Sequence, residues 1–404
     1  MIRFLHFADL HLGVENYGRL DPATGLNTRV LDFLRALDAV VDRAIAEQVD
    51  AVLFAGDAYK TKDPNVTYQR EFARRLSRLI HAGIPTVLLT GNHDIPNAMG
   101  RATSLDIYDA LALEQVRVIT SPSRFVLPTR SGPLQIVGLP WLHRNRFLQG
   151  DEVRVQSAAE IEQRLASTVE EWLAEEAKQL DPAIPAVALV HASVQGARFG
   201  SERNLLIGRD IVLTPSSLDR PEFAYVALGH IHRFQRLGAL RPVVYAGSLE
   251  RIDFGEEDEE KGFLLVEVEP GEARPTFCPW PARPFLTIDV AIKGDQPTEQ
   301  VLAALAAQPI EEAVVRIRVG GTAEQLRQLR MPELITAARG ASYFAGLQRI
   351  TLDEARTREA ERWSQGQSIA QVMAHYWITK KVPEGRRQQL LAVAEELIGE
   401  ESAV

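Results

Sequence analysis

Residues 2–11 read Ile-Arg-Phe-Leu-His-Phe-Ala-Asp-Leu-His. The apolar run at residues 2–8 predicts a β-strand, and Asp9 and His11 follow it directly. In extended backbone, side chains two residues apart lie on the same side, so a carboxylate and an imidazole there can bind one ion. A turn aspartate beside a surface histidine is the simpler interpretation of this pair taken alone.

Four further groups of polar residues follow predicted strands in the same way. They are Asp57 after residues 51–55, Gly91-Asn92-His93-Asp94 after residues 86–90, His191 at the end of residues 186–191, and His230 with His232 after residues 224–228. Each group alone also allows a structural interpretation. Because open α/β sheets carry their sites at the carboxyl ends of strands, the combination predicts one shared site.

The residue types in these groups indicate a metal centre. Oxygen and nitrogen ligands without thiolate suit Mn²⁺, Fe²⁺ or Zn²⁺ better than Ca²⁺ or Mg²⁺. Two such ions can activate a water molecule and polarise a phosphate ester. Asn92 offers a neutral oxygen, His93 can give a proton or a hydrogen bond to a phosphate oxygen, and Asp94 can orient that imidazole.

Strand and helix signals alternate along the first two thirds of the chain, which predicts an α/β domain over residues 1–268. Helices are expected at residues 28–48, 68–82, 102–113 and 158–179. Five prolines between residues 270 and 284 predict a linker at 269–283. A small α/β domain at 284–352 and a helical tail at 353–404 complete the predicted order.

Composition limits the class of protein without naming a partner. No run of about 18 apolar residues occurs, so no membrane span is expected. A single cysteine, Cys278, and the lack of a secretory leader predict a cytoplasmic location. The net charge of −9 neither proves nor excludes nucleic acid, since the five acidic residues at 256–260 are predicted to form a solvated loop.

The ordered motifs resemble those of the calcineurin-like metallophosphoesterases. That resemblance implies an α/β fold made of a two-sheet sandwich flanked by helices, with two divalent metal ions. It assigns one metal to Asp9, His11, Asp57 and His232, and the other to Asp57, Asn92, His191 and His230. His93 becomes the imidazole that stabilises the transition state.

Residues 7–13, 89–94 and 246–256 also resemble the SbcD-type nuclease subunits of that superfamily. This resemblance implies a Mn²⁺-dependent double-strand exonuclease and single-strand endonuclease of DNA repair. It further implies a homodimer through helices 68–82 and 102–113 and an SbcC-like coiled-coil ABC-type ATPase partner. It implies that residues 284–352 cap the site and bind DNA. It also implies that the tail binds the ATPase through two apolar helix faces. The first face comprises Ile369, Val372, Met373, Tyr376 and Trp377, and the second comprises Leu390, Leu391, Ala394, Leu397 and Ile398.

Several alternatives stay open. A phosphomonoesterase or phosphoprotein phosphatase could share the fold, although no Asp-Arg pair follows Gly56-Asp57 here, and a scaffold could keep the fold without the chemistry. The apolar tail faces could instead pack on the small domain. Lys60 stands three positions after Asp57, where many relatives carry a polar or acidic residue or a histidine, and this difference leaves the balance of endonuclease and exonuclease activity open. Candidate DNA contacts are Lys60, Arg144, Arg146, Arg198, Arg203 and Arg233.

Overall fold

The computed structural model describes residues 1–96, 100–142, 158–200, 211–351, 377 and 382–391. The chain divides into two compact units, Met1–Phe285 and Leu286–Val404. The first unit holds fourteen of the strands in these ranges: β1 Ile2–Phe7, β2 Ala51–Phe54, β3 Thr86–Leu89, β4 Val116–Ile119, β5 Ser123–Thr129, β6 Gly132–Leu139, β7 Ala186–His191, β8 Ser193–Val194, β9 Val212–Leu213, β10 Tyr225–Gly229, β11 Gln235–Arg236, β12 Val243–Tyr245, β13 Lys261–Glu269 and β14 Glu272–Trp280. Its helices are α1 Thr28–Ala46, α2 Val66–His81, α3 Asp106–Ala110, α4 Ala158–Lys178 and α5 Pro215–Leu218.

Two six-stranded sheets form the body of this unit. The first has the order β14-β13-β1-β2-β3-β4 and the second the order β11-β12-β10-β7-β6-β5. β1, β2, β3 and β4 run parallel, and so do β6, β7, β10 and β12. Their carboxyl ends therefore collect at one edge of each sheet, which is where the predicted site residues stand.

Three apolar layers explain why the central strands are apolar on both faces. Phe4, Leu53 and Leu189 belong to the layer between the two sheets. Residues on the opposite face of the first sheet, such as Phe54, pack with α1 and α2. The second sheet packs its outer face on α4 through residues such as Leu173. The predicted two-sheet sandwich flanked by helices is confirmed.

The predicted linker at residues 269–283 is wrong over most of its length. Residues 272–280 form β14, which pairs antiparallel with β13 along its whole length. Pro275 and Pro279 suggested a break, but a strand at the edge of a sheet tolerates proline because its outward amides need no partner. Alternation of half-buried and exposed residues along β14 is the signal that the proline count concealed.

Two other predictions in this unit differ from the structure. The helix predicted at residues 102–113 is confined to α3, Asp106–Ala110. The strand β5, Ser123–Thr129, was not predicted, and it pairs with β6 as a hairpin at the edge of the second sheet. Exposed residues alternate with buried or half-buried ones along β5, as expected for an edge strand, so the sequence shows no continuous apolar run there.

The second unit is a small α/β layer. Three strands, β15 Phe285–Ala291, β16 Val314–Gly321 and β17 Tyr343–Thr351, form a sheet in that order. The helices α6 Pro297–Ala306, α7 Ala323–Arg327 and α8 Met331–Ala337 supply apolar residues to its core. A helix at 331–337 was not predicted, since Pro332 reads as a breaker although it stands in the first helical turn, where proline is tolerated.

Most of the predicted tail lies outside the described residues, including Ile369, Val372, Met373 and Tyr376. Within it the structure describes Trp377 and residues 382–391, of which 384–391 are helical. Within the described ranges, no helix has the length and apolarity that a membrane span requires.

Candidate metal centre

The ends of five central strands bring the predicted site residues together. Asp9 and His11 follow β1, Asp57 follows β2, Asn92, His93 and Asp94 follow β3, His191 ends β7, and His230 and His232 follow β10. All are buried except Asn92 and His93, which are half-buried. Backbone bonds join the loops: the amide of Asp9 donates to the carbonyl of Gly56 at 3.0 Å, and that of His11 to Asp57 at 3.0 Å.

The glycines of the motifs allow the loops to approach closely. Gly56 has a φ of +97°, and a Cβ atom there would lie 2.4 Å from Nδ1 of His191. At Gly91 a Cβ atom would lie 2.1 Å from Oδ1 of Asp57. Any side chain at these positions would therefore push two of the site residues apart.

Asp57 stands between two groups of ligand-capable side chains. Among the described residues, His11, Asp57 and His93 form one group, and Asp57, His191 and His230 form the other, each with its ligand atoms within 4.8 Å of one another. Oδ1 of Asp57 accepts a hydrogen bond from the amide of His93 at 2.8 Å. Oδ2 faces Nε2 of both His11 and His191 at 3.6 Å, which is the arrangement expected of a carboxylate shared by two ions.

The protonation pattern of His191 shows that cations fit this site. Nδ1 of His191 lies 2.7 Å from the carbonyl oxygen of Ala55, which can only accept, so Nδ1 carries the hydrogen. In the neutral ring Nε2 then presents a lone pair, and it lies 3.0 Å from Oδ1 of Asn92, another acceptor. Two acceptors facing each other repel unless a cation lies between them.

His232 also directs a ring nitrogen into the site, on the other side of Asp57. Its Nδ1 lies 2.8 Å from the carboxylate of Glu256, which leaves Nε2 with a lone pair. That Nε2 lies 2.9 Å from Nε2 of His11. The donor set on both sides of Asp57 therefore fits a pair of divalent metal ions.

Burial sets the charge of the ligands. Burial lowers the pKa of His11 well below its ordinary value and that of His191 to about 4, so both rings are neutral and competent to bind metal. Burial raises the pKa of the Asp9 carboxyl to about 7, although His232 opposes the shift. For Asp57 burial acts in the same direction, but the neighbouring imidazoles, His191 first, outweigh it and hold the pKa below the usual range.

Asp94 does not have the predicted role of orienting His93. Its carboxylate accepts three backbone hydrogen bonds, from Asp57 at 2.9 Å, Ala58 at 3.0 Å and Gly91 at 2.9 Å. The imidazole of His93 is held instead by the carbonyl oxygen of Lys60, 2.7 Å from Nδ1. Asp94 therefore ties the β2 and β3 loops together, a role that motif spacing does not reveal.

Asp9 lies in neither three-residue group. Both its carboxylate oxygens face the amide of His230, at 2.9 and 3.1 Å, so it anchors the β10 loop. Its predicted place as a metal ligand stays a prediction.

The prediction of a solvated acidic loop at residues 256–260 is wrong for two of the five residues. Glu256 is fully buried and Glu259 is 7% exposed, and both carboxylates lie 2.8 Å from Nζ of the buried Lys261. Sequence reasoning missed Glu256 because it stands first in an acidic run. The lysine that closes the run is the signal that could have separated it from its neighbours.

Comparison with known proteins agrees with this geometry. The family profile described as calcineurin-like phosphoesterase matches residues 2–234. This chain is therefore a member of the calcineurin-like phosphoesterase family, and the predicted enzyme class, a metal-dependent phosphodiesterase, is confirmed.

Within this family, the similar proteins include nuclease subunits and DNA double-strand break repair proteins. The SbcD component of the SbcCD nuclease from Rhodobacter capsulatus is 30% identical over 318 residues, which is 75% of each chain. The protein of the same name from Bacillus subtilis is 29% identical over 281 residues, 67% of each chain. The DNA double-strand break repair protein Mre11 of Haloferax volcanii is 28% identical over 328 residues, 80% of this chain and 62% of the relative. The predicted resemblance to SbcD-type nuclease subunits is confirmed.

Proposed function

We propose that this chain is the Mn²⁺-dependent nuclease subunit of a DNA double-strand-break repair complex, acting as a double-strand exonuclease and a single-strand endonuclease. The observation that carries the proposal is the sharing of Oδ2 of Asp57 between His11 and His191 at 3.6 Å. A shared carboxylate between two donor groups is what a two-metal phosphodiesterase requires. The names of the relatives, nuclease and double-strand break repair protein, supply the substrate class.

Two divalent ions, when bound, would supply an activated water and positive charge that stabilises the phosphoryl oxygens. The side chains of this protein do the rest. The carbonyl of Lys60 accepts a hydrogen bond from Nδ1 of His93. Nε2 can therefore donate to a phosphoryl oxygen, or protonate the leaving oxygen, when the ring is in its doubly protonated form. As water forms its bond to phosphorus and gives up a proton to solvent, the phosphorus–oxygen bond to the leaving strand breaks and the leaving oxygen takes a proton from Nε2 of protonated His93.

The donor set supports a transition-metal ion, and the resemblance to SbcD-type subunits supports manganese in particular. The ligand-capable atoms are imidazole nitrogens, carboxylate oxygens and one amide oxygen, and no cysteine contributes among the described residues. The imidazoles suit a first-row transition ion, and the carboxylate and amide oxygens are ligands that Mn²⁺ accepts readily. The lone Cys278, half-buried and unpaired, fits a reducing compartment such as the cytoplasm.

Contacts to DNA are proposed from three cations on loops that follow strands of the first unit, of which two are exposed and Lys60 is half-buried. Arg198 and Arg233 are exposed on loops that follow β8 and β10. Lys60 precedes α2, and its Nζ lies 3.3 Å from Oδ1 of Asn16. Such side chains bind the phosphate backbone without reading sequence, which suits a nuclease of broken ends. Arg144, Arg146 and Arg203 lie outside the described residues.

We further propose two protein partners. An SbcC-like coiled-coil ATPase would bind the tail at 353–404, and a second copy of this chain would bind through α2 and α3. The second proposal has support in exposed apolar side chains on and beside those helices, namely Val66, Ile107 and Leu111. The small unit would cap the site on DNA.

The decisive experiment is a substrate panel with the full chain and Mn²⁺. Linear duplex DNA, circular single-stranded DNA, p-nitrophenyl phosphate and a phosphopeptide are incubated side by side, with a chelator control. We expect cleavage of both DNA substrates and loss of that cleavage with chelator. Activity confined to the small ester or the peptide would reject the nuclease and favour a phosphatase on the same fold.

A further inference from the structure

Four buried polar residues lie behind the metal-site histidine His232. This group, called here the Glu256 cluster, comprises Ser248, Glu256, Glu259 and Lys261. Glu256 and Ser248 are fully buried, and Lys261 is 2% exposed. Charges removed from water this completely are retained only where they are paired. The desolvation of the cluster is therefore offset by the contacts that it makes.

Three of the four members, all but Glu259, contact His232 at its ring or its backbone. Oε1 of Glu256 lies 2.8 Å from Nδ1 of the ring. Nζ of Lys261 donates to the backbone carbonyl of the same histidine at 3.1 Å, and the amide of Ser248 donates to that carbonyl at 2.9 Å. Ring and backbone are thus both held in place by groups outside the metal centre.

The position of Glu256 is itself fixed. Its Oε2 lies 2.8 Å from Nζ of Lys261 and accepts from the amide of Ile252 at 3.1 Å. The ammonium of Lys261, in direct contact with Oε2, favours the ionised form of this carboxyl. An ionised carboxylate can only accept, which assigns the hydrogen of the His232 ring to Nδ1.

The two halves of the metal centre differ in the charge of the group that accepts the hydrogen bond from the histidine ring. For His191 this acceptor is neutral: it is the carbonyl oxygen of Ala55, 2.7 Å from Nδ1. For His232 the acceptor is the carboxylate of Glu256, which carries a full negative charge. A carboxylate behind an imidazole raises the basicity of the opposite nitrogen more than a carbonyl does, and so strengthens its bond to a metal ion.

We propose that Glu256 is a positioning residue for the metal centre, which fixes the tautomer and orientation of His232 and strengthens metal binding on that side, with Lys261 keeping Glu256 in place. The proposal rests on the two-metal centre of the proposed function. It gives a physical role to the stretch 248–256, which resembles the SbcD-type subunits and which no ligand assignment uses.

Glu256→Gln and Glu259→Gln form a matched pair for the test. Both glutamates lie 2.8 Å from Nζ of Lys261, but the described contacts of Glu259 do not include His232. Each variant removes one negative charge beside the same lysine. Any general loss of stability, read from thermal unfolding, should therefore be similar in the two.

Binding of Mn²⁺ to the metal-free full-length variants is measured by titration calorimetry, independently of nuclease activity. We expect Glu256→Gln to weaken one of two sites by about 10–100-fold and Glu259→Gln to leave both within about twofold. Equal affinities in the two variants, whether both normal or both weakened, would overturn the role of Glu256. A wild-type chain that binds fewer than two Mn²⁺ ions would overturn the two-metal centre itself.

A spectroscopic measurement on the wild-type protein tests the same proposal, and it does not depend on whether Glu256→Gln folds. The chain has nine histidines, so ¹⁵N-histidine labelling gives a tractable spectrum of ring nitrogens. In the metal-free protein at neutral pH we expect His232 with Nδ1 protonated and Nε2 unprotonated. A ring protonated on Nε2 would show that Glu256 does not set the tautomer and would overturn the proposal.

Discussion

Four residues of the metal centre have positive φ angles, a backbone conformation that residues other than glycine rarely adopt. Asp9, His11, Asp57 and His230 have φ values of 51°, 46°, 62° and 105°. Each conformation costs on the order of 1–3 kcal/mol unless its surroundings enforce it. The short loops that join the strands to these residues, tied together by backbone hydrogen bonds, provide that enforcement. Half of the eight non-glycine residues with positive φ in the described ranges thus lie where the proposed ligands converge.

The role of His93 can be separated from that of a metal ligand. Its ring groups with His11 and Asp57, so proximity alone does not distinguish the two roles. For His93→Ala we expect DNA cleavage to fall at least about 100-fold, because proton donation is lost, while two Mn²⁺ ions per chain still bind. Metal content is counted by mass spectrometry of the loaded protein. Replacement of the exposed His81 is the control, and loss of one metal from His93→Ala would make it a ligand instead.

His6 makes stability depend on pH without touching the metal centre. Its ring is fully buried between the hydroxyl of Tyr225 and the carbonyl of Leu228, at 3.0 and 3.2 Å. Burial lowers its pKa from 6.5 to about 3. Since the unfolded chain gains a proton first as the pH falls below 6.5, stability is full above that pH and declines towards about pH 3.

The size of this effect follows from the linkage relation. Each pH unit contributes about 1.4 kcal/mol, so between pH 7 and pH 5 the His6 term should cost about 2 kcal/mol. Urea unfolding in chelator measures the free energy of unfolding at both values for wild type and His6→Gln. We expect the variant to lose about 2 kcal/mol less than the wild type, and equal losses would contradict the assignment.

At the scale of secondary-structure elements, α1 is joined to the end of the first unit by buried charges. Asp32 on α1 contacts Arg29 at 2.6 Å, Arg283 at 2.5 Å and also Arg35. Glu250 completes the network, since it lies 3.5 Å from Arg29 and accepts from the indole of Trp280 at 3.0 Å. Loss of one partner from a buried network leaves a charge without compensation.

Two aspartates of α1 allow this idea to be tested. Asp32 is 2% exposed, whereas Asp42 is 64% exposed and pairs with Arg78 on α2. We expect Asp32→Asn to lower the free energy of unfolding by about 3–5 kcal/mol and Asp42→Asn by at most about 1 kcal/mol. Chemical denaturation measures both. Similar small effects would mean that the arginines find other partners.

At the scale of the whole molecule, the proposed homodimer predicts a dependence on apolar side chains at α3. Ile107 and Leu111 are 53% and 60% exposed. Aspartate at both positions should convert the dimer to a monomer, because charge cannot be desolvated in an apolar interface. Light scattering after gel filtration gives the mass. Leu240→Asp, at a residue that is also 60% exposed but lies between β11 and β12, is the control and should leave the dimer intact.

The proposed ATPase partner predicts a separable tail. Removal of residues 352–404 should abolish association with a coiled-coil ATPase and leave basal Mn²⁺-dependent cleavage unchanged, since every residue of the metal centre lies in the first unit. Co-elution on gel filtration and the duplex-cleavage assay measure the two properties. A complex that survives truncation would move the partner surface elsewhere.

The order of motifs along the chain was enough to locate the central parallel strands and the residues that meet at their carboxyl ends, and the family resemblance that those motifs carry implied the two-sheet sandwich. This worked because parallel strands bring their carboxyl ends together and because Gly56-Asp57 and Gly91-Asn92-His93-Asp94 are local signals. The partners of those residues could not be read in the same way. Glu256 behind His232, the carbonyl of Lys60 behind His93, and Asp94 across the β2 and β3 loops depend on contacts between distant segments. Burial also reverses the usual meaning of residue type, since an acidic run and a proline-rich stretch became a buried ion cluster and an edge strand once neighbouring strands surrounded them.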